Sequence, residues 1–343
     1  MSLPGPGALL QCAGMPPVEV DAGEWSTIAA ELTRRGFLTA SGVAFTAVLT
    51  GCASSENTDT SPETLDFVYD GVVAQIPANP NRVVVIEGRG DLEFALVSGY
   101  PVVASGFHFG KDHGLFRELE DIGAGEIEEL RTAEPYMPNY EHLASFAPDL
   151  IIMRSNAYIR DFYGNEQIAA IAPILAVQCG RPHWEEDLTA QVRQLRRENT
   201  ADIEIGRYNQ ILEKAKRSLG STVHERILGF GSARADGSML VRTNDLVNRV
   251  AADLGFAQVA YDPTDAVGSY EVSAEHLDVF IGADVLFVQN YSALPALSQS
   301  PTFTTLAASR NGQVHDLDGS LSSGLGRSAG GVVKMIAQAL TSR

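Results

Sequence analysis

The chain has 343 residues, a formal net charge of −18, and 45% hydrophobic and 20% charged residues. This composition is typical of a globular protein with room for two domains and excludes a disordered chain. An acidic surface repels the phosphates of nucleic acid and of anionic lipid head groups, so neither is expected to bind the protein surface.

The segment LTRRGFLTASGVAFTAVLTGC predicts an export signal. Arg34 and Arg35 precede an apolar run at 40–49, which is shorter than the roughly 20 residues that a membrane-spanning helix needs. Twin arginines before such a run resemble the twin-arginine export address. The closing LTGC resembles a bacterial lipobox, in which a peptidase cuts before the cysteine and the cysteine thiol carries the lipid. Cys52 is therefore the predicted lipidation site, and the alternative is a buried N-terminal helix with an incidental cysteine.

The sequence around this signal sets the first boundaries. We predict an export signal at 1–51 and a flexible tether at 52–65, because ASSENTDTSPET is polar and has too little apolar surface to fold. The acidic residues before Arg34 are unlike a basic leader, which indicates extra N-terminal residues or a later start at Met15.

Strand and helix patterns then alternate along the chain. NRVVVIEG, PVVASG, DLIIMRS and ILAVQ are short β-branched or apolar runs typical of buried strands, and segments with helical spacing separate them. RILGFGS, DVLFVQ and GQVHDLD continue the pattern. This alternation predicts parallel sheets covered by helices. We predict an N-terminal lobe at 66–182 and a C-terminal lobe at 221–343. A charged helix within 183–220, with an apolar stripe that includes Ile203, bridges them.

A helix-then-strand phrase occurs twice, as NYEHLASFAPDLIIM and SAEHLDVFIGADVLFV. The recurring positions are Glu141, His142, Leu143, Phe146 and Asp149, and Glu275, His276, Leu277, Phe280 and Asp284. Asn139 and Ser273 are favourable N-cap residues, and each glutamate then falls in the first helical turn, where the helix dipole favours a carboxylate. Duplicated helix capping is sufficient to account for this spacing.

From Cys52 onward the sequence resembles a class III substrate-binding protein of ABC importers, of the ferric-siderophore and cobalamin type. The phrases that carry the resemblance are IPANPNRVVVIEG, NYEHLASFAPDLII, IAPILAV, VSAEHLDVFIGADVLFV and FTTLAASRNGQVHDLD, in this order. The resemblance implies an α/β fold of two lobes with parallel sheets flanked by helices, joined by one long bridging helix, with the ligand cleft between the lobes. It also implies an extracytoplasmic, lipid-anchored binding protein that acts without catalysis or a cofactor.

In this family the glutamates of an N-x-E and a V-S-x-E phrase dock onto arginines of the permease, one for each permease subunit. The resemblance assigns this role to Glu141 and Glu275, and the permease dimer is the implied partner of a monomeric binding protein. One acidic anchor on each lobe suits a twofold partner, because charge-assisted pairs give both strength and orientation.

Ligands of α/β lobes lie at the carboxyl ends of the strands. Arginines and aromatic residues follow several predicted strands, and they suit a bulky anionic chelate such as a ferric siderophore. The candidate ligand-binding residues are Arg89, Arg154, Tyr158, Trp184, Arg242, Tyr291 and Arg327. Ordinary surface salt bridges are the alternative role for the arginines.

Other ligands and activities remain as alternatives. Cobalamin or haem would also use aromatic residues in the cleft. A bare metal ion is less favoured because the histidines form no HxH or HxxxH pair, and the three cysteines form no CxxC pair. The phrase GLGRSAGG contains GxGxxA but does not follow the first strand of a βαβ unit, so a dinucleotide-binding enzyme is not indicated.

Overall fold

The computed structural model describes residues 63–134, 137–259 and 269–341. Arg34, Arg35 and Cys52, on which the predicted export signal and lipidation site depend, lie outside these ranges. Within the described ranges, no helix combines the length and the apolar character that crossing a bilayer requires.

The first half of the described chain contains nine strands and seven α-helices. The strands are β1 Thr64–Tyr69, β2 Val72–Pro77, β3 Val83–Val85, β4 Val102–Ser105, β5 Glu128–Glu129, β6 Thr132–Glu134, β7 Met137–Pro138, β8 Leu150–Arg154 and β9 Ile174–Val177. The helices are α1 Gly90–Val97, α2 Gly114–Leu119, α3 Tyr140–Ser145, α4 Ser155–Ile159, α5 Asn165–Ala169, α6 Trp184–Gln194 and α7 Asn199–Leu219.

The first sheet has the order β5-β4-β3-β8-β9, and all its neighbouring strands are parallel. Its central strand, Val83–Val85, is fully buried, as expected of a parallel sheet covered on both faces. Asp149 fixes the register at the start of β8 because its carboxylate accepts the backbone N–H groups of Asn81 and Arg82.

A separate hairpin of β1 and β2 precedes this sheet and was not predicted. Its first strand begins at Thr64, inside the stretch predicted to be a tether. Asp70 and Gly71 form the two-residue turn with φ of 50° and 81°. This is the Asp-Gly turn that suits the twist of a hairpin.

Two helices, α6 and α7, lie between the sheets in chain order. The helix α7 has a buried stripe that includes Tyr208, Leu212 and Leu219. The prediction that Ile203 belongs to this stripe is wrong, because 65% of that residue is exposed. A break with Arg196 at φ 56° separates the two helices.

The second half contributes six strands and six α-helices. The strands are β10 Ile227–Ala233, β11 Met239–Arg242, β12 Ala257–Gln258, β13 Ser269–Val272, β14 Val285–Gln289 and β15 Val314–Asp316. The helices are α8 Thr222–Glu225, α9 Leu246–Leu254, α10 Leu294–Leu297, α11 Pro301–Thr305, α12 Ala307–Arg310 and α13 Gly326–Thr341.

The second sheet has the order β13-β11-β10-β14-β15, with β12 also pairing to β10. The strands β10, β14 and β15 are mutually parallel, while β11 runs antiparallel to both of its neighbours. The protein is thus the predicted two-lobed α/β fold, with one reversed strand in its second sheet. One face of this sheet joins the main apolar core, and the other packs a smaller cluster around Phe280 and Leu286.

The C-terminal helix α13 connects the two halves. It packs along α7 and also contacts α2 and α1 of the first half. Glu93 on α1 is fully buried and lies at the start of α13, where its carboxylate accepts the backbone N–H groups of Leu325 at 2.8 Å and Arg327 at 2.7 Å. Ser328 adds its backbone N–H at 3.3 Å and its hydroxyl at 2.5 Å. A carboxylate from the first half therefore caps the last helix of the second half.

Candidate functional site

The candidate site lies where strands of the first sheet end. The segments that follow β3 and β4 contribute Arg89 and His108 to one cavity of about 220 Å³, and Arg154, the last residue of β8, lines the same cavity. The remaining lining residues are Asn156, Ala157, Arg160, Phe162 and Tyr163. The carboxyl ends of parallel strands meet at one edge of a sheet, which explains why residues distant in sequence converge here.

A buried carboxylate holds one of the two central arginines. Glu87 is 3% exposed, and its Oε2 accepts from Arg154 Nε at 2.7 Å and lies 2.5 Å from Arg154 Nη2. Arg89 Nη1 is 4.0 Å from the same oxygen, and Arg89 Nη2 donates to Ser323 Oγ at 3.0 Å. Arg154 is therefore firmly paired with a carboxylate, whereas the polar contacts of Arg89 are a distant carboxylate and a neutral hydroxyl acceptor.

Asp91 fixes the loop that carries Arg89. Its carboxylate is fully buried and accepts the backbone N–H groups of Glu87, Arg89 and Leu92 at 2.8–3.0 Å. Burial and the neighbouring Asp91 carboxylate raise the pKa of Glu87, and the Arg154 guanidinium opposes this rise. These three hydrogen bonds hold the backbone of the strand-to-helix turn that carries Arg89.

Aromatic groups surround the arginines. The Arg89 guanidinium carbon lies 4.8 Å from the centre of the Phe109 ring, within the range of a cation–π contact. Phe162 is 55% exposed at the cavity wall, and Tyr163 beside it is buried. Burial and the two nearby arginines lower the pKa of His108 to about 4, so its imidazole is neutral at neutral pH. The cavity therefore offers positive charge together with flat surfaces for stacking.

A larger cavity of about 740 Å³ adjoins the first and shares His108 and Tyr163 with it. Its charged lining is different: it includes the carboxylates of Glu87, Glu128 and Glu129 and one guanidinium, that of Arg131. The two cavities together form a site whose halves carry opposite charge.

The remaining predicted ligand residues lie elsewhere. Tyr158 is on α4 beyond Arg154 but does not line the cavity. Arg242 ends β11 and is paired with Asp245 at 2.5 Å and with Gln289. Tyr291 starts a 3₁₀ turn after β14 and is 39% exposed. The structure therefore brings together only Arg89 and Arg154 of the predicted set.

Two of the predicted ligand residues are buried in packing contacts, which corrects their expected role. Trp184 is 0% exposed, packs edge to face on Tyr208 with ring centres 5.4 Å apart, and lies against the backbone of Gly326. The Arg327 side chain is 7% exposed and pairs with Asp121 and with Glu204 at 3.3 Å. Trp184 stabilises the packing of α6 against α7 and α13, and Arg327 anchors the start of α13.

Sequence reasoning missed the carboxylates Glu87 and Asp91. Both occur in IEGRGD, directly after a buried strand, and a charged residue at that point of a parallel strand was a usable signal. Tyr163 was also missed, because it comes from the loop after α4 and only the tertiary fold brings it to Glu87.

The repeated phrase forms two unequal helices. Asn139 caps α3 as predicted, with its side chain accepting the N–H of His142 at 2.9 Å. Ser273 precedes a 3₁₀ helix, Ala274–Phe280, and makes no capping hydrogen bond. Its hydroxyl instead contacts Glu275, and this hydrogen bond is the main reason why the pKa of Glu275 is lowered.

The equivalent side chains of the two phrases nevertheless match. Leu143, Phe146, Leu277 and Phe280 are buried, while Glu141 and Glu275 are both exposed. The Asp284 carboxylate accepts the backbone N–H of Ile227. In the same way, the Asp149 carboxylate accepts the backbone N–H of Arg82 at the start of the equivalent strand. Both glutamates are accessible to a partner protein.

Two other types of site have no support in the described residues. The parts of the chain with defined coordinates contain no group of three or more His, Cys, Asp or Glu side chains arranged for a metal ion. The glycine-rich start of α13, which resembles a phosphate-binding turn in sequence, is occupied by the Glu93 carboxylate. A phosphate would have to displace this buried, hydrogen-bonded side chain.

Comparison with known proteins agrees with this architecture. A probable siderophore-binding lipoprotein of Bacillus subtilis (strain 168), YfiY, is 23% identical over 290 residues, which cover 79% of this chain and 86% of YfiY. The triscatecholate siderophore-binding protein FeuA of Bacillus subtilis, solved with ferri-bacillibactin, gives a TM-score of 0.62 at 19% identity and covers 81% of this chain and 98% of FeuA. SirA of Staphylococcus aureus, solved with staphyloferrin B, gives a TM-score of 0.59 at 19% identity. The match covers 79% of this chain and 95% of SirA.

These solved structures confirm the predicted fold class. Residues 128–321, more than half of the chain, match the family described as periplasmic binding protein. The chain belongs to the periplasmic binding protein family.

Proposed function

We propose that this chain is the extracytoplasmic substrate-binding subunit of an ABC importer, and that it captures a ferric siderophore and delivers it to a permease without a chemical step. The observation that carries the proposal is the convergence of Arg89 and Arg154 on one cavity with Phe109, Phe162 and Tyr163 close by. The names of the relatives YfiY, FeuA and SirA support the same ligand class.

The chemistry of the cavity suits an anionic chelate. Guanidinium groups supply forked donors to carboxylate, catecholate or hydroxamate oxygens, and aromatic rings supply stacking surface. Arg89 is the better direct contact, because Arg154 is already held by Glu87. The Glu87 carboxylate holds the Arg154 guanidinium in place in the cavity wall.

The binding experiment is a calorimetric titration of the purified chain with ferric catecholate, hydroxamate and carboxylate complexes, with haem and cobalamin as controls. Arg89→Gln should weaken binding of the preferred ferric complex by roughly tenfold or more, since a hydrogen bond to a charged group contributes about 1.5–3 kcal/mol. The matched control is Arg196→Gln, because the Arg196 side chain is 64% exposed and pairs with Glu63, away from the cavity. Tighter binding of haem or cobalamin, or chemical turnover of the chelate, would contradict the proposal.

We propose that Glu141 and Glu275 dock the protein onto the permease. Both carboxylates are exposed, and the hydrogen bond from Ser273, which lowers the pKa of Glu275, favours the ionised form that pairs with a guanidinium. A Glu141→Gln, Glu275→Gln double variant should bind the ferric complex normally and lose uptake into cells. Loss of binding in solution, or normal uptake, would contradict docking. Glu225→Gln, which also changes an exposed glutamate, is the control.

We further propose that a lipid on Cys52 anchors the mature protein, after export directed by Arg34 and Arg35, with lobes at 66–182 and 221–343 joined through 183–220. Cys52→Ala should move the protein from the membrane fraction to the soluble fraction. Recovery of this variant in the membrane pellet would contradict the anchor.

A further inference from the structure

We infer that the ligand of this site carries a basic side arm, such as a primary amine or guanidinium, in addition to its anionic iron-chelating groups. The inference rests on the proposed function and narrows its substrate class. Three arginines and no carboxylate line the cavity of about 220 Å³. Three carboxylates and one arginine line the adjoining cavity of about 740 Å³.

The sheet fixes the position of the negative charges in the larger cavity. Glu128 and Glu129 form β5, the edge strand of the first sheet, and β5 pairs with β4 at Ala104 and Ser105. The backbone of the sheet therefore fixes both glutamates beside the end of β4. His108 lies between the two cavities and is neutral, so it does not offset the negative charge of the larger one.

The buried side chain of Glu87 adds a further observation. It lines the larger cavity, is 3% exposed, and its Oε1 has no hydrogen-bond partner among the residues that the structure describes. Its other oxygen holds Arg154. A buried acceptor without a donor is unfavourable, so a ligand that brings an N–H group to this boundary is favoured over one that brings a further anion.

A ligand with two kinds of charge satisfies both cavities. Its ferric centre and anionic oxygens would lie against Arg89 in the smaller cavity. Its ammonium or guanidinium arm would extend into the larger cavity towards Glu128 and Glu129. A purely anionic chelate large enough to fill both cavities would meet the exposed carboxylates of Glu128 and Glu129 in the larger one, whereas the Glu87 carboxyl group is already paired with Arg154.

The test compares two ferric tris-catecholates that differ only in their arms, one with neutral glycine arms and one with lysine arms. Titration of the full chain should show the lysine-arm complex binding roughly tenfold tighter, because partly exposed ion pairs contribute a fewfold each. This preference should shrink when ionic strength is raised, since salt screens such pairs.

Variants assign the preference to named residues. Glu128→Gln, Glu129→Gln should bring the two affinities to within about twofold, because it removes the attraction for the lysine arms and the repulsion of the anionic glycine-arm complex. The single variants show which glutamate acts, since neighbouring strand residues point to opposite faces. Glu126→Gln, two residues before β5 and outside the cavity lining, is the charge-matched control and should retain the preference.

The outcomes separate the two proposals. Equal or weaker binding of the lysine-arm complex overturns the inference and leaves the siderophore-binding function intact. A preference that persists in the double variant also overturns it, because the named carboxylates would not be its source. Failure of both complexes and of every other ferric chelate to bind contradicts the proposed function itself.

Discussion

Removing the Glu93 carboxylate should destabilise the junction between the two halves of the protein. The loss of stability should be larger than for any substitution of an exposed residue. Glu93 receives four hydrogen bonds, from the N–H groups of Leu325, Arg327 and Ser328 and from the Ser328 hydroxyl. Glu93→Ala leaves buried donors at the start of α13 without an acceptor. Each unsatisfied buried donor is unfavourable by about 1–3 kcal/mol, and water entering the vacated space offsets part of this.

We therefore expect Glu93→Ala to lower the free energy of unfolding by about 3–5 kcal/mol, the range of severe core substitutions. Glu93→Gln keeps the shape and one acceptor oxygen but places an amide donor against N–H groups, so we expect about 2 kcal/mol. We expect Glu93→Ala to be more destabilising than Glu93→Gln because it leaves more donors without an acceptor.

The pH dependence adds a second check. Burial raises the pKa of Glu93 even though hydrogen bonds from Ser328, Leu325 and Arg327 lower it. A carboxyl group whose pKa is raised by folding favours the folded state most at low pH, and this advantage declines as pH rises above its ordinary value of 4.5. The destabilisation by Glu93→Gln should therefore be larger at about pH 4.5 than at about pH 8.

The assay is urea unfolding followed by circular dichroism, at both pH values. Glu213→Ala, which removes an exposed glutamate that pairs with Lys216 at 3.4 Å, is the control and should stay within about 0.5 kcal/mol of the parent. A Glu93→Ala variant within about 1 kcal/mol of the parent would refute the capping role and the connection between the halves that rests on it.

Three further predictions test the site and its surroundings. Gly90→Ala should lower the free energy of unfolding by about 2–3 kcal/mol in the same assay, because a Cβ would lie 2.1 Å from the Ser323 carbonyl oxygen and 2.5 Å from Cys179 Sγ. An unchanged unfolding midpoint would contradict this packing. Trp184→Phe should lower the free energy of unfolding by about 1–2 kcal/mol and keep the affinity for the ferric chelate within about twofold of the parent value. A large loss of affinity in the folded variant would instead indicate that Trp184 contacts the ligand. His108 has a folded-state pKa of about 4, below its ordinary 6.5, so the parent should lose stability as pH falls from 6.5 to 4. His108→Gln should lack that loss, which we expect to be about 1 kcal/mol because the ring is half exposed; identical acid unfolding of parent and variant would argue against the shift.

Much of the fold was predictable because its signals are local. Short β-branched runs and helical spacing gave the order of strands and helices. The inward positions of Leu143, Phe146, Leu277 and Phe280 followed from the same periodicity. The hairpin at Thr64–Pro77 was missed although its Asp-Gly turn was visible: its first two residues were assigned to the tether at 52–65, and the rest to the N-terminal lobe without any predicted strand.

The candidate site was predictable only in part. Arg89 and Arg154 were found because residues that follow parallel strands gather at one edge of a sheet, whichever order the strands take. The choice between a ligand contact and a buried structural role depends on what packs against each side chain. For Trp184 that partner is Tyr208, and for Arg327 it is Asp121, more than 200 residues earlier in the chain.

The sequence by itself determined the alternation of strands and helices, the paired glutamates and the acidic character of the chain, since each of these is a property of residue type and spacing. Tertiary structure alone decided that Glu93 caps a helix beginning more than 230 residues later, that Glu87 holds Arg154, and that two adjoining cavities carry opposite charge. Burial and electrostatic environment depend on neighbours brought together by the sheets, and no local pattern of residues encodes those neighbours.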